Sequence, residues 1–267
     1  MIKFDINRMP DHTTSWFREL RSSLLGEFNE IDYFVLQKIR HNKHVLFYGA
    51  AHATRLSQPK MFDDIQKYIV MLSKLEWKKI IIGESDSPLW EMHDWDGEAA
   101  FAKKFGYSVW IDFVCPEPTK SQAVWYLQWL WYADKDIFCT YCMQWYHQRI
   151  RRSHDVDTEA SSLYLRWIIS LLSSLWLEYS YDDFVAYFQD LEHIPLDNFT
   201  QEMCRKYISP HWTLHISNHI LSNLTHLRDK MCLQAIQDYI NSDYHIFVLY
   251  GADHVVKRKP VIDDAMS

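Results

Sequence analysis

Two stretches at opposite ends of the chain, VLFYGAAHATR (45–55) and IFVLYGADHVVKR (246–258), read almost alike. In each, an apolar run closes on Tyr-Gly, and a histidine, His52 or His254, follows the glycine by three residues. A short apolar run ending in glycine reads as a buried strand with a tight exit, where Gly49 and Gly251 permit close backbone approach to a ligand. A third run, KIIIGES (79–85), ends the same way and delivers Glu84. Ligands of open parallel sheets bind beyond the carboxyl ends of the strands. Two imidazoles and a carboxylate with an open position can hold a catalytic divalent ion. His52, Glu84 and His254 are therefore the expected metal ligands, with Glu84 alternatively a general base toward metal-bound water. A lone histidine after a strand is commonly structural; the repeated context and the glutamate favour a shared site.

The elements that must position these groups follow from periodicity. Strands are expected at 44–50, 79–85, 107–113 and 245–251. Between the first two, Ser57 can cap a helix, Pro59 suits its first turn, and Met61, Ile65, Tyr68, Ile69, Leu72 and Leu75 share one face. Strand, helix, strand at this spacing implies a parallel pair with a right-handed crossover. A last helix, about 214–241, carries Leu221, Leu224, Leu227, Met231, Ala235 and Tyr239 at helical spacing and feeds the second twin strand. The fold expected is α/β, a largely parallel sheet flanked by helices, with a Trp/Tyr-rich, mostly helical insertion. The chain reads as a single domain, 1–267, with an α/β core at about 30–118 and 213–267 and the insertion at about 119–212. An aromatic stripe of this kind is usually core, and it could also line an apolar groove.

The ordered pair GAAH (49–52) and GADH (251–254) resembles the two G-x-x-H motifs of the TraB/Tiki family, with GESD supplying the intervening Glu84 and LTHLRDKMCLQAIQDYI supplying Arg228 and Asp229. The resemblance covers about 44–90 and 217–258. It implies a fold related to erythromycin-esterase-like and ChaN-like proteins, a metal-dependent protease-like activity, and manganese or cobalt as the ion. Arg228, at the edge of its helix's apolar face between Leu224 and Met231, would steady a carboxylate or a developing oxyanion.

Other classes find little support. The net charge of −7 argues against a nucleic-acid partner. Neither a P-loop, a G-x-G-x-x-G nor a G-x-S-x-G is present. The amino terminus does not read as a secretory signal, and WIISLLSSLWL (167–177) is too short to span a bilayer. Cys139 and Cys142, set among apolar residues, are expected as buried thiols in a reducing cytoplasm. His211, His215 and His219, four apart, lack the glutamate of a zinc-protease helix and are expected on an exposed polar face. The chain is thus expected to be a cytoplasmic metal-dependent hydrolase, a peptidase or esterase, acting on a peptide or small apolar substrate through His52, Glu84, Arg228 and His254. The alternative is a non-catalytic protein capturing a peptide, haem or apolar ligand in the same crevice.

Overall fold

The computed structural model describes residues 2–10, 14–25, 34–40, 42–51, 56–84, 97–152, 158–193 and 200–266. By chain contacts these form two compact units, Met1–Glu117 with Arg228–Ser267, and Pro118–Leu227.

The first unit is α/β. Its strands are β1 (Phe34–Arg40), β2 (Lys43–Ala50), β3 (Lys78–Gly83), β4 (Asp112–Val114) and β5 (Tyr244–Gly251), in the order β1-β2-β5-β3-β4. All neighbours are parallel except β1, a hairpin partner of β2. The twin strands β2 and β5 are neighbours in mid-sheet, but staggered by one residue: Gly49 lies opposite Tyr250, and Ala50 opposite Gly251. β1 escapes a periodicity reading because FVLQKIR interrupts its apolar run with Gln37, Lys38 and Arg40, as suits an edge strand.

Helices α1 (Ser15–Leu25), α2 (Pro59–Ser73) and α3 (Glu98–Ser108) belong to this unit. Alternation along the strands divides the core. Val45, Phe47, Ile80, Ile82, Ile246 and Val248 pack with Cys232, Leu233, Ile236, Val255 and Ile262. Tyr48, Ile81, Phe247 and Leu249 meet Met61, Phe62, Ile65, Ile69 and Leu72 of α2 and Ala102 of α3. A sheet buried on both faces gives the unbroken apolar runs seen in the sequence.

The strand expected at 107–113 is a correction. Helix α3 runs on to Ser108, and pairing starts only at Asp112. Tyr107 and Ser108 complete the helix, whose turn closes through Ile111 N–H to Gly106 O at 3.0 Å. Gly83, at the end of β3, is held tightly: an added methyl carbon would lie 2.8 Å from Phe113 Cζ and 3.2 Å from Leu249 O. Gly83→Ala is expected to cost roughly 1–3 kcal/mol by overpacking, read as a lower denaturation midpoint with an unchanged slope. An unaltered midpoint would show that β4 yields freely.

The second unit is helical, with α4 (Lys120–Trp129), α5 (Asp134–Arg152), α6 (Thr158–Ser173), α7 (Tyr181–Glu192), α8 (Gln201–Ile208) and the first part of α9 (Ile216–Asn241). The helix expected at about 214–241 is thus present, and its residues from Arg228 onward belong to the α/β unit. Capping boxes start α4 (Thr119, Gln122) and α7 (Ser180, Asp183). The core consists of Ile137, Phe138, Cys139, Cys142, Ile168, Phe184, Phe188 and their neighbours. The tryptophans of this unit do not build it: Trp125, Trp129, Trp131, Trp167 and Trp176 are exposed, while Trp145 packs against it. Burial pushes the Cys139 thiol up to about 12 and Cys142 up likewise, as fits inert structural thiols.

His215 precedes α9. Its ring Nδ1 accepts from the Ser217 N–H at 3.2 Å, while Asn218 Nδ2 donates to the carbonyls of Lys206, Tyr207 and Ser209. The three histidines 211, 215 and 219 therefore share no helical face, because α9 begins only after the second. Helix α10 (Ala252–Met266) closes the chain against β2 and β5.

Candidate functional site

Of the expected site residues, Glu84, Arg228, His254, Gly49 and Gly251 are described, and His52 lies outside the described residues. Glu84 follows β3 directly. Its Oε1 accepts from the Gly251 backbone N–H at 2.8 Å, joining the ends of β3 and β5. Its Oε2 lies 3.4 Å from Arg228 Nη2. The carboxylate and the two strand ends are thus brought together as the spacing suggests.

Arg228 is shared with a second carboxylate that the sequence reading does not include. Glu117 Oε1 accepts from Arg228 Nε at 2.9 Å and is also bonded by Nη2. Glu117 stands three residues beyond β4, in VCPEP, so it occupies the same kind of strand-end position as Glu84. The signal that could find it is a carboxylate between two prolines just past a sheet strand.

Asp229, beside Arg228 on α9, turns into the interior and is fully buried. Its Oδ1 lies 2.8 Å from His254 Nδ1 and accepts from Arg258 Nε at 2.9 Å, with Arg258 Nη2 at 2.8 Å. Its Oδ2 is 3.2 Å from Lys257 Nζ. His254, Lys257 and Arg258 are three and four apart on α10, hence on one face. Asp229 and Cys232 repeat that spacing on α9, and Arg258 Nη1 reaches Cys232 Sγ at 2.9 Å. The Arg258 guanidinium also covers the Tyr250 ring at 4.0 Å. Lys257 and Arg258 escape a sequence reading because HVVKRK looks like a solvated turn. Only the helix that starts at Ala252 shows that both basic residues face inward with His254. Asp253 points elsewhere and pairs with Arg21 Nε at 2.6 Å.

The electrostatics set Asp229 and Glu117 apart. Burial acts to raise the Asp229 carboxyl, but His254, Arg258 and Lys257 outweigh it and hold the group well below the usual range. Burial raises the Glu117 carboxyl; Arg228 opposes this, Glu84 reinforces it, and the net direction is up. Burial acts to lower Arg228, but the two glutamates overcome it and raise the guanidinium. Burial with nearby negative charge raises the Tyr250 phenol, so it stays neutral. The result is one ionised carboxylate under an imidazole, and a second carboxyl inclined to hold its proton.

Among the described residues, no three His, Cys, Asp or Glu side chains gather to hold a metal ion. The expected ligand set includes His52, which lies outside the described residues; of its other members, Glu84 is engaged by Gly251 and Arg228, and His254 Nδ1 by Asp229. A small apolar cavity of about 120 Å³ lies at the amino ends of β2 and β5, lined by His44, Leu46, Tyr68 and Phe247 among others. It does not reach Glu84 or His254 and is smaller than typical ligand pockets of about 300–1,000 Å³. Among the described residues no helix is long and apolar enough to cross a membrane. No family profile, curated protein or solved structure matches the chain.

Proposed function

We propose that the α/β unit is a hydrolase of ester or amide bonds, with its centre at the carboxyl ends of β3 and β5. The observation that carries this reading is the presence of two differently tuned acid–base systems side by side: Asp229–His254, held by Arg258, and Glu117, held by Arg228. Asp229 fixes His254 through Nδ1, so proton transfer falls to Nε2, the tautomer an Asp–His pair supports. Next to it, Glu117 holds a raised carboxyl against Arg228. Groups whose environments drive their proton affinities apart are suited to separate acid and base roles.

In this reading His254 Nε2 takes a proton from a water whose oxygen attacks the carbonyl carbon. The carbonyl oxygen becomes an oxyanion, which Arg228 stabilises once Glu117 is protonated and no longer claims the guanidinium's full charge. The carbon–leaving-group bond breaks as Glu117 gives its proton to the departing oxygen or nitrogen. The proton on His254 then returns to Glu117 through solvent. Glu84 ties β3 to β5 and orients Arg228. The TraB/Tiki resemblance gives the alternative, in which His254 Nε2 with His52 and Glu84 would hold a divalent ion, manganese or cobalt in kind, in place of taking the proton; such an ion would supply a Lewis acid for the carbonyl and a more acidic water. A peptide or small apolar acyl compound is the proposed substrate.

The test is an ester and peptide panel assayed with and without added manganese or cobalt, for the natural chain and for His254→Ala. Turnover is expected, and His254→Ala should remove it while circular dichroism stays the same. No turnover of any substrate under either condition, or full turnover by His254→Ala, would sink the hydrolase reading.

A further inference from the structure

Seven non-glycine residues among those described have positive φ, and they fall into two groups. Asn42, His193 and Asp243 are of the types that tolerate the left-handed region. The other four are all tryptophan: Trp77 (φ 79°), Trp110 (φ 61°), Trp131 (φ 65°) and Trp176 (φ 68°). A bulky side chain there is a genuine outlier, because its Cβ crowds the following carbonyl.

Three of these four occupy one structural slot. After α3, the N–H of Trp110 bonds to Tyr107 O, and that of Ile111 to Gly106 O. After α4, Trp131 bonds to Gln128 O and Tyr132 to Leu127 O. After α6, Trp176 bonds to Ser173 O and Leu177 to Leu172 O. Each is a helix ended by paired bonds around a left-handed residue, the position that glycine fills in most proteins. The residue that follows is apolar and turns inward, as the motif requires: Ile111 and Leu177 are core residues. Trp77 lies in the bend that leads into β3.

The indoles themselves do little. Trp77, Trp110, Trp131 and Trp176 are 72%, 96%, 93% and 82% exposed, and among them one ring contact stands out, Lys43 Nζ over Trp77 at 5.3 Å. Glycine shows the reverse distribution. The chain has only 6 glycines against 12 tryptophans. Gly49, Gly83 and Gly251 lie in strands, Gly106 lies inside α3, and Gly97 has φ −68°. Turn positions that demand glycine thus carry tryptophan, while the described glycines stand elsewhere.

We infer that positions 77, 110, 131 and 176 are glycines in the natural chain, encoded by UGA. That codon is read as tryptophan in some genetic codes and as glycine in others, so one misassigned codon accounts for all four substitutions at once. The inference is independent of the hydrolase reading. It removes four exposed indoles from any account of the surface, and with them part of the aromatic signal for an apolar groove.

The gene's codons at the four positions, and peptide masses of the protein isolated from cells that carry the gene, test this directly. Protein made in a host that inserts tryptophan serves as the mass standard. UGA codons with glycine masses are the expected result; UGG at these positions, or UGA with tryptophan masses, overturns the inference. A second arm replaces Trp110, Trp131 and Trp176 together by glycine in the tryptophan form. The glycine form should melt several degrees higher, and a triple alanine form should gain less because Cβ remains. A glycine form that melts lower would also overturn it.

Discussion

Asp229→Asn is expected to destabilise the α/β unit by about 3–5 kcal/mol, more than any surface change. The substitution keeps the size of the side chain and removes one charge. That charge is the partner of Lys257 and Arg258, which are 1% and 0% exposed as side chains, and of His254. Two buried cations would lose this carboxylate, and in a folded interior such charges are costly to hold. Chemical denaturation should therefore show a large drop in midpoint. Adding Arg258→Met to Asp229→Asn should recover part of the loss, because a well-packed apolar replacement avoids the desolvation cost. A single variant as stable as the natural chain would mean that water reaches this cluster.

The same pair fixes a pH dependence. The Asp229 carboxyl is held well below its unfolded value of about 3.9. A depressed carboxyl binds fewer protons when folded, so its contribution is complete above that value and is lost as pH falls below about 4. Glu117 has the opposite sign. Its carboxyl is raised, so the folded state takes up a proton first, and acidification through that range adds stability. Acid unfolding of the natural chain should accordingly start below the range where Glu117 titrates, and Asp229→Asn should flatten the acid-side slope.

How far the sequence reveals this site depends on what kind of signal each residue leaves. His254 and Glu84 stand at the ends of buried parallel strands, and unbroken apolar runs closing on glycine mark such ends clearly. Arg228 and Asp229 are adjacent in sequence, yet α9 turns one toward the glutamates and the other into the core. Helical periodicity places Arg228 at the edge of the apolar face, and it gives no reason for a fully buried aspartate beside it. That burial becomes intelligible only with Lys257 and Arg258, which α10 brings in from 28 and 29 positions along the chain. Long-range charge matching of this sort leaves no local pattern. The edge strand β1 and the late start of β4 are hidden for a related reason, since sheet pairing, not propensity, decides where a short strand begins and ends.

Glu117→Gln and Glu84→Gln should separate the two carboxylates that share Arg228. Glu117, half-buried and with a raised carboxyl, is the group suited to give a proton to a leaving atom. Its amide keeps the shape, accepts from Arg228 as before, and has no acidic proton to transfer. A loss of about 10²–10⁴-fold in kcat is expected, which corresponds to roughly 3–5 kcal/mol of barrier. The natural chain's rate should fall as pH rises through the Glu117 titration, at a pH above the ordinary glutamate range, and this limb should vanish in Glu117→Gln. Glu84→Gln can still accept the Gly251 N–H through its amide oxygen, but it gives up its charge toward Arg228. Its rate loss should be smaller, should leave the pH limb in place, and should come with a shift in KM if Arg228 also binds the substrate. Metal content of both variants, measured on the same preparations, completes the comparison: a carboxylate that ligates an ion loses it on amidation, and one that moves protons does not. Equal losses from the two variants with an unchanged pH profile would remove Glu117 from the proton-donor role and return Glu84 to the place of base or ligand.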